Sequence, residues 1–144
     1  MSDKNPMTKE YFARRLAELC LKSGLAGFPR DEADRHILLK SAMLVIGQTG
    51  AMTEGEVNEK LGLWVLQVGQ MLSLDRVTVR RTLVDTGYLI RTKDGSSYHV
   101  ANPGPRPDLF APEVDQLDIP AVIQAGREEI ERRKREYLEK AKKG

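Results

Sequence analysis

Apolar positions along this chain recur mostly at helical intervals. Phe12, Leu16, Leu19 and Cys20 are spaced by three and four, with Arg14, Arg15 and Glu18 on the other side. The spacing predicts a first helix from about Lys9 to Lys22, capped by Thr8 and ended by Gly24 or Gly27. Asp31 can cap a second helix, and Asp31, Glu32 and Asp34 place negative charge at its positive end. This helix runs to about Gly47 and carries Ile37, Leu38, Ala42, Leu44, Val45 and Ile46. It is the most apolar helix of the chain and is expected to form the core. Thr53-Glu54-Gly55-Glu56 is a capping box that opens a third helix bearing Val57 and Leu61, and Gly62 is expected to break it. Leu63 to Leu72 fits a further helical turn or two, although the pattern alone leaves its state open. With Trp64, Leu66, Val68, Met71 and Leu72 it is too apolar for a free loop.

Asp75 can cap a fourth helix, Arg76 to Thr86, ended by Gly87. The period then shortens. Tyr88-Leu89-Ile90-Arg91 and Ser97-Tyr98-His99-Val100 read as strands joined at Asp94-Gly95, a strong hairpin-turn signal. Three helices followed by a hairpin is the order of a winged helix-turn-helix. The expected fold class is therefore mainly α with a small β-hairpin: a winged helix-turn-helix core with extra N- and C-terminal helices. Pro103, Pro105, Pro107, Pro112 and Pro120 mark residues 101–120 as a linker, or an extended arm lying across a surface. From Ala121 the period is helical again, with Val122, Ile123, Ile130, Tyr137 and Leu138 in a narrow stripe. Glu128/Arg132, Glu129/Arg133, Glu131/Arg135 and Glu136/Lys140 are oppositely charged neighbours one turn apart on this helix. The predicted organisation is an N-terminal helix in 1–27, a winged-helix domain in 28–100, an acidic proline-rich arm in 101–120 and a charged helix in 121–144.

Composition sharpens this outline. The chain has 144 residues, of which 40% are hydrophobic and 31% charged, so it can bury a core without being strongly apolar. Its net charge of +2 excludes a histone-like polycation, but the charge is unevenly placed. Residues 73–100 carry net +2, residues 101–120 net −3 and residues 121–144 net +3. No apolar run approaches the ~20 residues that cross a bilayer, and the polar start MSDKNPMTKEYF has no apolar signal core. Cys20 is the single cysteine, which excludes an internal disulfide framework and fits a reducing cytoplasm. With only Cys20, His36 and His99 available, a zinc site of the usual Cys/His type is out of reach.

Catalysis by an activated nucleophile needs a base and an orienting group around it, and only His36 and His99 are available as imidazole bases. No GxSxG, HExxH or glycine-rich phosphate loop occurs, so neither an enzyme nor a cofactor is expected. The more informative element is residues 75–86. At 100° per residue Val79 and Leu83 lie together, with Val77 and Val84 further round, while Thr78, Arg81, Thr82 and Asp85 share the opposite arc. A recognition helix needs one side locked in the core and another offering short polar groups and an arginine to base edges. Arg81 is the candidate for a bidentate contact to guanine, Thr78 and Thr82 for phosphate or a thymine methyl, and Arg76 for phosphate. The plain reading is a solvated amphipathic helix. Arg80, flanked by apolar positions, reads better as a structural arginine paired with a carboxylate. Arg91 and Lys93 flank the turn of the hairpin, residues 88–100, and are candidates for backbone contact by a wing. The plain reading there is an ordinary hairpin with solvated ends, and Tyr98 is expected to pack against the helices.

These residues carry a resemblance. Phe28-Pro29-Arg30, Met52-Thr53-Glu54-Gly55-Glu56-Val57-Asn58-Glu59, the run Asp75 to Leu89, and Arg91-Thr92-Lys93-Asp94-Gly95-Ser96-Ser97-Tyr98 together resemble the DUF2087 family of bacterial domains. The likeness covers roughly residues 28–100 and departs at Gly62 to Leu74, where this chain is longer and more apolar. It implies a winged-helix-like fold and association with transcriptional regulators. It implies no reaction and no ligand.

Two functions compete. One is a DNA-binding transcriptional regulator, with double-stranded DNA as partner and a homodimer formed through the two terminal helices, whose stripes look uncovered. The other is a winged-helix protein–protein interaction module without DNA binding, with the Trp64 stretch as contact and the acidic arm as anchor. The plain reading of Trp64 is that it closes the core. A small-ligand pocket beside Trp64 is a weaker third option.

Overall fold

The computed structural model describes residues 5–47 and 50–143. Met1 to Lys4, the first part of the polar N-terminal stretch, lie outside the described residues. Five helices and one hairpin follow in order: α1 (Lys9–Leu21), α2 (Glu32–Ile46), α3 (Glu54–Gln67), α4 (Arg76–Thr86), β1 (Leu89–Arg91), β2 (Tyr98–Val100) and α5 (Ile119–Lys143). Short 3-10 turns at Gly69–Leu72 and Pro112–Gln116 complete the described elements.

The helix starts are fixed by local chemistry. Thr8, Asp31, Thr53 and Asp75 each accept the backbone N–H three residues ahead, from Tyr11, Asp34, Glu56 and Thr78. At Thr53 the box is complete, because Glu56 Oε1 also accepts the Thr53 N–H at 2.9 Å. Gly47 and Gly87 end α2 and α4 in the left-handed conformation, at φ 62° and 89°, that residues with a Cβ avoid.

Gly62 does not break α3, which runs five residues further to Gln67. A glycine inside a helix costs only about 1 kcal/mol. Burying Leu61 and Trp64, both 0% exposed, outweighs that cost. The unsettled stretch 63–72 is thus the end of α3 followed by the 3-10 turn. Trp64 sits at its centre, donating its indole N–H to Ser41 Oγ at 2.8 Å on α2.

The hairpin pairs Leu89 with Val100, Ile90 with His99 and Arg91 with Tyr98. Met52 adds a one-residue third strand, exchanging two 2.8 Å backbone hydrogen bonds with Tyr98. The order α2, Met52, α3, α4, β1, β2 is the winged helix-turn-helix arrangement expected from the sequence. The Asp94-Gly95 loop is longer than the two-residue hairpin turns. Thr92 N–H donates to the Ser97 carbonyl at 2.9 Å, which leaves residues 93–96 as the tip.

One core unites the molecule. Phe12, Leu16, Leu19 and Cys20 of α1 enter it together with α2, α3 and α4, so the apolar stripe of α1 is covered rather than free. Arg15 fastens α1 to α2 with two bonds of 2.9 and 2.8 Å to the Asp34 carboxylate. The proline-rich arm is also built in. Phe110 bridges Met7 in parallel and meets the Phe12 ring edge-on at 5.6 Å, and Val114 is buried. Ile119 and Ile123 dock the start of α5 on the same core. Of the ion pairs expected along α5, Glu129–Arg133 forms at 2.8 Å, while Arg132 bonds Glu129 and Glu136 rather than Glu128. Among the described residues, no helix is long and apolar enough to cross a membrane.

Candidate nucleic-acid interface

α4 divides as its sequence predicts. Val79 and Leu83 are 0% exposed and hold the helix on the core. Arg76, Thr78, Arg81 and Asp85 are exposed, and Thr82 is half-buried. The Thr82 hydroxyl is already committed, donating to the Thr78 carbonyl at 2.8 Å. It retains an acceptor and a methyl group for an outside partner. Val77, further round the wheel, is 44% exposed beside Arg76 at the helix start.

Arg80 is the structural arginine. Its guanidinium donates to Asn58 Oδ1 and lies 4.0 Å from Glu54 Oε1, tying α4 to α3. Glu54 Oε1 also accepts the Tyr98 hydroxyl at 3.1 Å, so the same carboxylate reaches the hairpin. Tyr98 is 2% exposed and packed inside, as expected.

On the wing, Arg91 and Lys93 are exposed. The Arg91 guanidinium lies over Gly95, where any side chain would collide with it, and Gly95 has φ 75° besides. Ile90 and His99 face each other on the outer, solvated side of the hairpin, with Ile90 44% exposed. Neither was among the candidates. The step from Leu89 inward to Ile90 outward is the local signal for Ile90, although Arg91 is exposed as well and the alternation goes no further along β1.

Among the described residues, no carboxylate oxygen lies within ion-pair distance of Arg76, Arg81, Arg91 or Lys93. Some cations elsewhere are held by carboxylates, including Arg15, Lys40, Arg106, Arg132 and Arg133, while Arg14, Lys22, Arg30, Lys60 and Arg127 share the unpaired state of these four. The nearby acids are partly occupied. Asp75 Oδ1 accepts the Thr78 N–H at 2.8 Å, which lowers its pKa below the ordinary aspartate value. Asp94 accepts the Ser96 N–H together with the Ser96 and Thr92 hydroxyls, and its pKa falls to about 2. Both carboxylates therefore cap turns of their own chain, while Asp85 stays exposed on α4.

Cys20 and His36 are internal, whereas His99 is exposed on the hairpin. Burial pushes the Cys20 thiol up to about 12. His36 is 8% exposed, with Nδ1 2.7 Å from Tyr88 Oη. Among the described residues, no group of three or more His, Cys, Asp or Glu is placed to hold a metal ion. Trp64, 0% exposed, is not a surface contact as the interaction reading required, but the closing residue of the core.

No match to the chain is found among curated proteins or among solved structures. Residues 24–100, from the loop before α2 through the end of β2, match the family described as "Uncharacterized protein conserved in bacteria (DUF2087)". That match spans more than half of the chain, and the chain belongs to this family.

Proposed function

We propose that the protein is a DNA-binding transcriptional regulator that lays α4 in the major groove and the β1–β2 wing along the backbone, working as a homodimer through its terminal helices. The observation that carries this reading is the set of exposed cations Arg76, Arg81, Arg91 and Lys93, free of carboxylate partners among the described residues, on α4 and the wing that follows it. Cations already paired inside a protein gain little by meeting phosphate, whereas unpaired ones release counterions from DNA. Thr78 and Thr82 share the outer arc of α4 with Arg81, and this supports α4 as the helix that would read base edges.

Fluorescence anisotropy with duplex DNA tests the proposal. Three phosphate contacts per chain, from Arg76, Arg91 and Lys93, give a log–log salt slope near −3 per chain, at about −0.9 per contact. Arg81→Ala with Arg91→Ala is expected to reduce the slope by about 1 per chain, through Arg91, and to cost about 1–3 kcal/mol of binding through the base contact of Arg81. No binding at low salt, or a double variant that binds as the wild type does, rejects the reading. A second reading, docking on another protein without DNA, rests on Leu63 and Leu66, which are 53% and 69% exposed on α3. Loss of a partner in Leu66→Glu, with DNA binding absent throughout, would favour it.

A further inference from the structure

α5 is 25 residues long, about 37 Å at 1.5 Å per residue, and only its first half has the body beside it. Gly126 brings that half close to α1, since a Cβ there would lie 2.8 Å from Ala17 Cβ. Every residue from 131 to 143 is exposed. The stripe that buries Ile119 and Ile123 nevertheless continues through Ile130 to Tyr137, at intervals of four, seven and seven. Tyr137 is 73% exposed and Leu138, beside it, 52%. Next to the covered half lies a solvent-open groove of about 580 Å³ between α1 and α5. Ala13, Ala17, Ala121, Val122, Ala125 and Ile130 make it apolar, and its rim carries both signs, Glu18, Asp118 and Glu129 beside Arg14, Lys22 and Arg133.

Charge is sharply polarised along this segment. Residues 108–131 hold seven acidic side chains and one basic, whereas residues 132–143 hold seven basic and two acidic. We propose that the groove of one copy receives the protruding end of α5 from a second copy, reciprocally and antiparallel, with Tyr137 and Leu138 as the apolar anchors. The proposal rests on the pairing element of the regulator reading and gives that element its surface. A two-fold pair uses the same patch twice, so a basic end laid along the acidic stretch 108–131 of the other copy complements itself. The antiparallel sense sets each basic end over the acidic stretch of the other copy, while a parallel pair would stack two basic ends. Tyrosine suits the anchor, with an apolar ring for the groove and a hydroxyl for its rim.

Sedimentation equilibrium of the full chain at about 100 µM reads the outcome. The expected mass is twice the 16.2 kDa of one chain, with dissociation strengthened severalfold between low and high salt. Tyr137→Glu with Leu138→Glu should return it to one chain mass while the far-ultraviolet circular dichroism stays that of a folded chain, since both residues are exposed within one copy. Ala125→Arg, which fills the groove from the other side of the same contact, should do likewise. A wild type that stays at one chain mass overturns the proposal and leaves the groove to another helix or an apolar ligand. A dimer that survives either variant also overturns it. Arg81→Ala with Arg91→Ala should remain dimeric, so failure of the DNA reading and failure of this one are told apart.

Discussion

His36 illustrates how much a single side chain in this fold depends on what closes over it. The sequence places it on α2 as a helix-surface or core-edge residue, and it lies just inside, 8% exposed and bonded to Tyr88 at the root of the wing. Burial holds its imidazole below the ordinary range, with Glu32 pulling the other way. A histidine pKa lowered by folding makes the unfolded chain bind more protons at mildly acid pH. The contribution of His36 is thus complete above the ordinary pKa of about 6.5 and is lost as the pH falls below it, toward the folded-state value. Thermal melts from pH 7.5 to 5 should show a falling melting temperature. His36→Asn should flatten that dependence, and an unchanged slope in the variant would show that other groups carry it. Arg80, Tyr98 and Trp64 were legible at this scale, because a long polar side chain between apolar positions, or a lone large aromatic, has few stable places in a small fold. Partners were not legible: nothing local announces that Arg80 finds Asn58, or His36 finds Tyr88.

α3 shows where the legibility of elements stops. Its start was readable because a capping box is built within four residues, and so were the caps of α1, α2 and α4. Its end was not, because what carries the helix past Gly62 is the burial of Leu61 and Trp64 by distant parts of the chain. The two glycines of this region should respond to alanine in opposite directions. At Gly62 a Cβ would lie 3.4 Å from Arg76 Cδ, an ordinary contact with a flexible side chain. Gly62→Ala is expected to stabilise the protein by about 0.5–1 kcal/mol, through helix propensity and a less free unfolded chain. At Gly69 the Cβ would lie 2.6 Å from Trp64 Cζ3 and 3.0 Å from the Leu74 carbonyl oxygen, both fixed by the core. Gly69→Ala is expected to cost about 1–3 kcal/mol through overpacking. Urea unfolding midpoints of the two variants check the pair, and equal shifts would refute this account of the α3–α4 connection. The candidate face of α4 was legible for the same reason as the caps, since an amphipathic wheel needs only its own eleven residues.

At the scale of the whole molecule, the core extends beyond the segment that carries the family resemblance. Residues 24–100 contain α2, α3, α4 and the wing, but the core they share is closed from outside. Phe12, Leu16, Leu19 and Cys20 cover it from α1, and Val114, Ile119 and Ile123 from the arm and α5. A sequence reading sees the apolar stripe of α1 and the apolar residues of the arm, yet which surface they meet is set by contacts about a hundred residues apart, as between Met7 and Phe110. That is why both terminal stripes look uncovered in sequence while one is buried. Seven buried side chains at ~1.5–3 kcal/mol each amount to ~10–20 kcal/mol of gross burial, as large as the ~5–15 kcal/mol of net stability usual for a domain. A fragment limited to residues 24–100 is therefore expected to lack a cooperative thermal transition and to bind a hydrophobic dye, whereas the full chain melts in one step. Proton NMR of the fragment should show amide signals collapsed into the narrow range of an unfolded chain. Dispersed amides and a sharp melt would mean that α2, α3 and α4 close their own core, and that α1 and α5 are held on the body for pairing alone.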